Sequence, residues 1–182
     1  MRILWLNAGL LLPLDKGGKL RTWHLMRHLA RRHAITYVCF TDPDEKKEYL
    51  EGMAEVCNSL LTVPRRDPAK GTPAFYLDAL KHLADPLPYA VGKYASEEYA
   101  GKVRHLLEHR EFDLLVADFL PPVVNLPPTV LIPKALFTHN VEAEIWRRHA
   151  ETATNPIARA LLRQQWQRML RFERIALTQF DL

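Results

Sequence analysis

The sequence predicts an α/β fold in which a parallel sheet carries helices on both faces. Two observations predict it. Short runs rich in β-branched and aromatic residues recur at 2–6, 35–40, 59–63, 112–117 and within 129–138, and helix-periodic stretches separate them, the alternation that builds crossover connections. The first run, Ile3-Leu4-Trp5-Leu6, is uniformly apolar and bounded by polar turn residues, as expected of a strand buried on both sides.

Taken in order, residues 2–6 form the first strand and 7–18 a loop closing on Gly17-Gly18. A helix follows from Lys19 to Arg32. Leu20, Trp23, Leu25, Met26, Leu29 and Ala30 give it an apolar side, and Lys19, Arg21, Arg27, Arg31 and Arg32 a basic one. Ile35 to Phe40 is the second strand. Asp42-Pro43 predicts a capped helix start running to Val56, because Asp accepts first-turn N–H groups and Pro fits the first turn. Ser59 to Val63 is the third strand. Residues 64–73 hold three prolines and a glycine and read as loop. A helix near 74–84 and a Pro-broken stretch at 85–92 come next. Ser96 caps a helix to His109, with Glu97 and Glu98 placed against its dipole. Phe112 to Ala117 is the fourth strand, ending at Asp118. Residues 120–128 are too Pro-rich for a regular element. The fifth strand lies within Thr129–Thr138, with Pro133 as a bulge or edge feature. Asn140 is placed to cap a helix holding Glu142, Glu144 and Trp146, and Asn155-Pro156 opens a long final helix to Thr178. The closing Phe180-Asp181-Leu182 repeats Phe112-Asp113-Leu114, the opening of the fourth strand. The expectation is therefore that a further strand starts at the C-terminus and that the chain is one part of a longer one.

The composition bounds the function. Of 182 residues, 48% are hydrophobic and 25% charged, ordinary values for a folded α/β domain with one core. No apolar run reaches membrane-spanning length. The apolar start breaks at Asn7 and lacks a small-residue cleavage site, so it reads as a strand rather than a signal peptide. Cys39 and Cys57 read as reduced structural thiols of a cytoplasmic protein. No Cys/His spacing suits zinc, and RNA-stacking aromatic motifs are missing, so neither a metal nor a nucleic acid is expected. The net charge of +4 permits contact with phosphates or anionic lipid.

In parallel sheets ligands bind beyond the carboxyl ends of the strands, which directs attention to loops 7–18, 118–128 and 138–142. Asp15-Lys16-Gly17-Gly18-Lys19 stands where a strand hands over to a helix. Paired glycines let a ligand approach the backbone, and a helix N-terminus favours an anion. Neither the Gly-x4-Gly-Lys-Ser/Thr nor the Gly-x-Gly-x2-Gly pattern is present, so a plain glycine turn remains the alternative. Phe137-Thr138-His139-Asn140-Val141-Glu142 is a second handover of this kind. His139 can hydrogen-bond a hydroxyl or exchange a proton, or be an ordinary cap-region histidine. Asp118 ends the fourth strand over the same cleft, as a hydroxyl acceptor or a turn residue. The last helix sets Arg159, Arg163, Arg168, Arg171 and Arg174 beside Ile157, Leu161, Leu162, Trp166 and Met169, a pattern of a solvated face or of an anionic membrane surface.

Arg2-Ile3-Leu4-Trp5-Leu6 leading to Gly17-Gly18 and Arg21 resembles the start of family 4 glycosyltransferases. Leu136-Phe137-Thr138-His139-Asn140-Val141-Glu142 followed by Ile145-Trp146 resembles a bacterial subgroup tied to exopolysaccharide and cell-surface glycan synthesis. The likeness spans essentially the whole chain. It implies one half of a GT-B fold, in which two Rossmann-like domains face across a cleft. Residues 1–182 would be the N-terminal, acceptor-side domain, and the nucleotide-sugar domain would lie outside this chain. By the same resemblance, Gly17, Gly18 and Lys19 approach the donor diphosphate and His139 stands beside the transferred sugar. Arg21, Asp118 and Asn140 face the acceptor or substrate. The resemblance implies transfer that retains the anomer, usually without a metal, and with no cofactor, the nucleotide sugar being a substrate. The resemblance also implies a glycan or lipid-linked acceptor, and docking on the inner membrane through basic helices as such enzymes often do. The family's Glu-x7-Glu motif is missing, so these 182 residues alone are expected to be inactive. A non-catalytic module for a small anion or a protein partner is the competing reading. A nicotinamide-dependent enzyme is disfavoured by the missing glycine fingerprint.

Overall fold

The computed structural model describes residues 1–69, 71–82 and 84–182. Residues 70 and 83, within the expected loop 64–73 and the expected helix 74–84, lie outside the described residues. Five strands, β1 (Arg2–Leu6), β2 (Ala34–Thr41), β3 (Ser59–Pro64), β4 (Leu114–Asp118) and β5 (Lys134–Phe137), form one all-parallel sheet of order β3-β2-β1-β4-β5. The strand order reverses between β1 and β4, so the connections leaving these neighbouring strands run to opposite sides and leave a crevice at their carboxyl ends. The helices are α1 (Gly17–Leu29), α2 (Lys47–Gly52), α3 (Pro73–Lys81), α4 (Tyr89–Gly92), α5 (Glu97–His109), α6 (Glu142–Thr152) and α7 (Pro156–Gln179). The architecture is a Rossmann-like α/β fold.

The apolar run of β1 is explained by burial on both faces. Ile3 and Trp5 point with Ile35, Tyr37 and Cys39 into a core closed by Trp23 and Met26 of α1. Leu4 and Leu6 point the other way, with Val38 and Phe40, against Tyr99, Val103 and Leu106 of α5. A third cluster packs Ala117 and Leu120 against Ala143 of α6 and Met169 and Ala176 of α7. Burial raises the Cys57 thiol to about 11 and carries that of Cys39 higher still, so neither is a thiolate at neutral pH.

Several boundaries differ from expectation, each for a physical reason. Helix α1 starts at Gly17, two residues early, so the glycines are its first turn rather than the loop before it. No helix starts at Asp42-Pro43. Asp42 Oδ1 accepts from the Asp44 amide at 2.9 Å and Asp42 O from Glu45 N at 3.0 Å, which closes a local turn. Lys46 is then extended, and helix begins only at Lys47. The Pro-rich 120–128 stretch does hold a regular element, a 3-10 turn at Pro121–Asn125, because prolines suit its first positions. Asn140 does not cap α6. Val141 is the residue at its start, and the Glu173 carboxylate of α7 instead accepts the Glu142 and Ala143 amides at 2.9 and 3.0 Å. Ser96 and Asn155 do cap their helices.

The two Phe-Asp-Leu tripeptides are used alike. Asp113 N donates to Arg2 O at 2.8 Å while Arg2 N donates to Asp113 Oδ2 at 2.6 Å. Asp181 N donates to Lys134 O at 2.9 Å while Lys134 N donates to Asp181 Oδ2 at 2.8 Å. Phe180–Leu182 thus lies beside β5 as Phe112–Leu114 lies beside β1.

Candidate functional site

The carboxyl ends of β1, β4 and β5 converge on the start of α1. Asp118, the last residue of β4, has a fully buried carboxylate that gathers donors from four directions. Oδ2 accepts from Trp5 Nε1 at 3.2 Å, Asn7 Nδ2 at 2.7 Å and Thr22 Oγ1 at 2.8 Å. Oδ1 faces His139 Nε2 at 2.9 Å. Burial pushes this carboxyl above its ordinary range, while the bonds from His139, Thr22 and Trp5 pull it back.

His139 leaves β5 and folds back over the crevice. Since Asp118 accepts, Nε2 carries the hydrogen, and Nδ1 is left as the acceptor for Arg21 Nη1 at 3.3 Å. Thr22 Oγ1 lies 3.3 Å from Nε2. The ring is stacked on Phe119 at 4.0 Å between centroids and meets the Phe137 ring edge-on at 4.5 Å. Its side chain is only 3% exposed. Phe119 reaches this position with φ of 70°, a left-handed conformation costing a non-glycine residue about 1–3 kcal/mol. Such strain concentrates at functional sites.

Gly18 belongs to the same cluster. A Cβ there would lie 3.0 Å from Phe119 Cζ and 3.9 Å from His139 Nδ1, so any larger residue would press on the stacked rings. Gly17 has open space around it. Lys16 provides no side-chain cap and the first turn holds no acid, which leaves the positive end of α1 uncompensated by side chains. Lys19 Nζ is held by Asp15 at 3.1 Å and Pro13 O at 3.2 Å.

The structure therefore brings together Gly18, Arg21, Asp118 and His139, sets Gly17 and Lys19 on the adjoining turn, and leaves Asn140 exposed at the rim. Trp5, Asn7, Thr22 and Phe119 were not expected in the site. The sequence carries one faint signal for Thr22, which stands one helical turn after Gly18 on the same face. A hollow of about 170 Å³ lined by Asn7, Gly18, Lys19, Thr22 and Phe119 opens beside the cluster, and a more apolar one of about 230 Å³ adjoins it between Phe119 and Glu142. A larger cavity, about 540 Å³, lies elsewhere, between Val123 and the end of α7, and holds none of this chemistry.

This arrangement supplies a rigid hydrogen-bond relay and an anion-favouring helix end. A ligand hydroxyl that displaced Arg21 would meet the Nδ1 acceptor, whose ring is oriented by Asp118 as in other carboxylate–histidine pairs. Among the described residues no three His, Cys, Asp or Glu side chains group as metal ligands, and no helix is long and apolar enough to cross a membrane. No protein-family model, curated protein or solved structure matches this chain.

Proposed function

We propose that this chain is the acceptor-side half of a retaining, sugar-nucleotide-dependent glycosyltransferase, acting with a second, nucleotide-binding domain on a glycan or lipid-linked acceptor. One observation carries the reading. Gly18 and His139, 121 positions apart, stand in one cluster, with His139 Nδ1 3.9 Å from the missing Gly18 Cβ. In this reading the donor diphosphate lies on the first turn of α1, where the helix dipole and the N–H groups of Gly17 to Lys19 face it. The transferred sugar lies over the Arg21–His139 contact. His139, fixed by Asp118, offers Nδ1 to a sugar hydroxyl, and Arg21 moves to the diphosphate or the sugar. No proton needs to reach Asp118, whose part is to orient the ring.

The test is a titration of the ¹⁵N-labelled chain with UDP-, GDP- and ADP-linked hexoses, followed by amide spectra. The expected result is a shift of the Gly17, Gly18 and Lys19 amides by at least one of them, weakened in His139→Ala. Spectra unmoved by every nucleotide sugar and every free nucleoside diphosphate would sink the reading and favour the non-catalytic module.

A further inference from the structure

A second polar feature lies on the same edge of the sheet, beyond β2 and β3. Arg65 follows directly on β3, and its amide extends the ladder to Thr41 O at 2.8 Å. Its guanidinium lies against two aromatic rings, with Cζ 4.9 Å from the Tyr94 centroid and 5.6 Å from that of Phe40. Those rings also pack on each other at 5.8 Å. Nη2 is tied to Asp67 Oδ1 at 2.6 Å. Nε is buried without a hydrogen-bond partner, and none is found for Nη1 among the described residues. Lys93 Nζ reaches the same Asp67 at 2.9 Å and lies 4.7 Å from the Tyr94 centroid. Two cations thus share one carboxylate. Arg65 is 22% exposed, and its buried Nε is a donor left without a partner, which opposes folding.

Arg65 borders a hollow of about 310 Å³ lined also by Gly9, Leu10, Lys19, Thr41, Asp67 and Tyr94 among others, with Lys93 behind Asp67. Asp42 and Glu45 also line it. Asp42 faces Arg66 at 3.7 Å and Glu45 accepts from the Lys46 amide at 3.3 Å, and neither is paired with Arg65. Lys19 and Gly9 border this hollow and the one beside Gly18 alike, so a ligand in one abuts a ligand in the other.

We propose that Arg65, seconded by Lys93, is the binding site for an oxyanion group, a phosphate or a carboxylate, on a sugar-sized ligand. With Nη2 on Asp67 and Nε buried, Nη1 is the donor left for an oxygen of an anion. The site stands on its own geometry, independent of the assignment of Gly17–Lys19 and His139.

Three probes separate the possibilities: glucose 1-phosphate, glucuronate and uncharged glucose, each titrated into the wild-type chain by calorimetry with amide and Arg Nε–Hε spectra. The expected result is binding of one or both anions with shifts at Arg65, Tyr94 and Lys93, at least tenfold weaker in Arg65→Lys and weaker in Lys93→Gln, and none with glucose. Preference between the two anions assigns the group. Equal response to glucose, equal affinity in a folded Arg65→Lys variant, or shifts confined to Gly17–Lys19 would overturn the proposal. Shifts at Gly17–Lys19 with none at Arg65 would leave the proposed function standing while removing this site.

Discussion

Asp118 is the residue on which the site turns. A charge buried this deeply is tolerated only because four donors converge on it. Asparagine has the same shape but one acceptor fewer, and its amide would point hydrogens at hydrogens. Asp118→Asn is therefore expected to destabilise the fold by about 1–3 kcal/mol, read as a lower denaturant midpoint at pH 7. An unchanged midpoint would mean that the network is idle. The two glycines separate in the same way. Gly17→Ala meets nothing within 4 Å and removes unfolded-state freedom, so it should stabilise by about 0.4–1 kcal/mol. Gly18→Ala drives a methyl against Phe119 at 3.0 Å, and overpacking of this kind costs about 1–3 kcal/mol. Melting temperatures that move in opposite directions are the expected outcome, and equal shifts would contradict the packing described.

At the scale of the element, α6 depends on its neighbour α7. Glu173 occupies the place a local cap would take, and Glu142 in the first turn is left facing it. The Glu142 carboxyl is raised by burial and by the charge of Glu173, against a bond from Asn140 and the nearness of His139. An acid whose folded value is raised binds its proton more tightly when folded. Stability on its account is full below its ordinary value of 4.5 and falls as pH rises through the raised value. Glu142→Gln should match the wild type in stability near pH 4 and exceed it near pH 7, in parallel denaturant titrations. A gap that is constant with pH would exclude the like-charge account. On the same helix Glu144 is held down to about 2 by Arg147 and Arg148. Its contribution is present above its ordinary value of 4.5 and is lost as pH falls toward about 2, the opposite sign.

At the scale of the whole molecule, the site is a ledge on one rim of the sheet rather than an enclosed pocket. The hollow beside Gly18, about 170 Å³, is smaller than the roughly 300–1,000 Å³ of cavities that enclose small-molecule ligands. In the proposed reading, a nucleotide sugar resting there stays open to water on its far side. Transfer needs water excluded and a diphosphate clamped, so the 182 residues alone are expected to show no sugar transfer from any donor. Detectable transfer in a sensitive product assay would defeat this expectation.

What the sequence determined by itself was periodic or local. The order and type of the five strands, the apolar β1, and the Ser96 and Asn155 caps were legible because each depends on residues within a turn or two of one another. Gly18, Asp118 and His139 were legible as candidates because strand-to-helix junctions in a parallel sheet collect at one edge. Only the tertiary structure decided that Asp118 binds His139, that Trp5, Asn7 and Thr22 complete its shell, and that Phe119 turns left-handed to cover the ring. The same holds for Glu173 replacing Asn140 as the cap of α6 and for the rings around Arg65. These contacts join residues up to 113 positions apart. A side chain's local pattern records which element it belongs to, whereas its partner is set by where the sheet order brings the strand ends together.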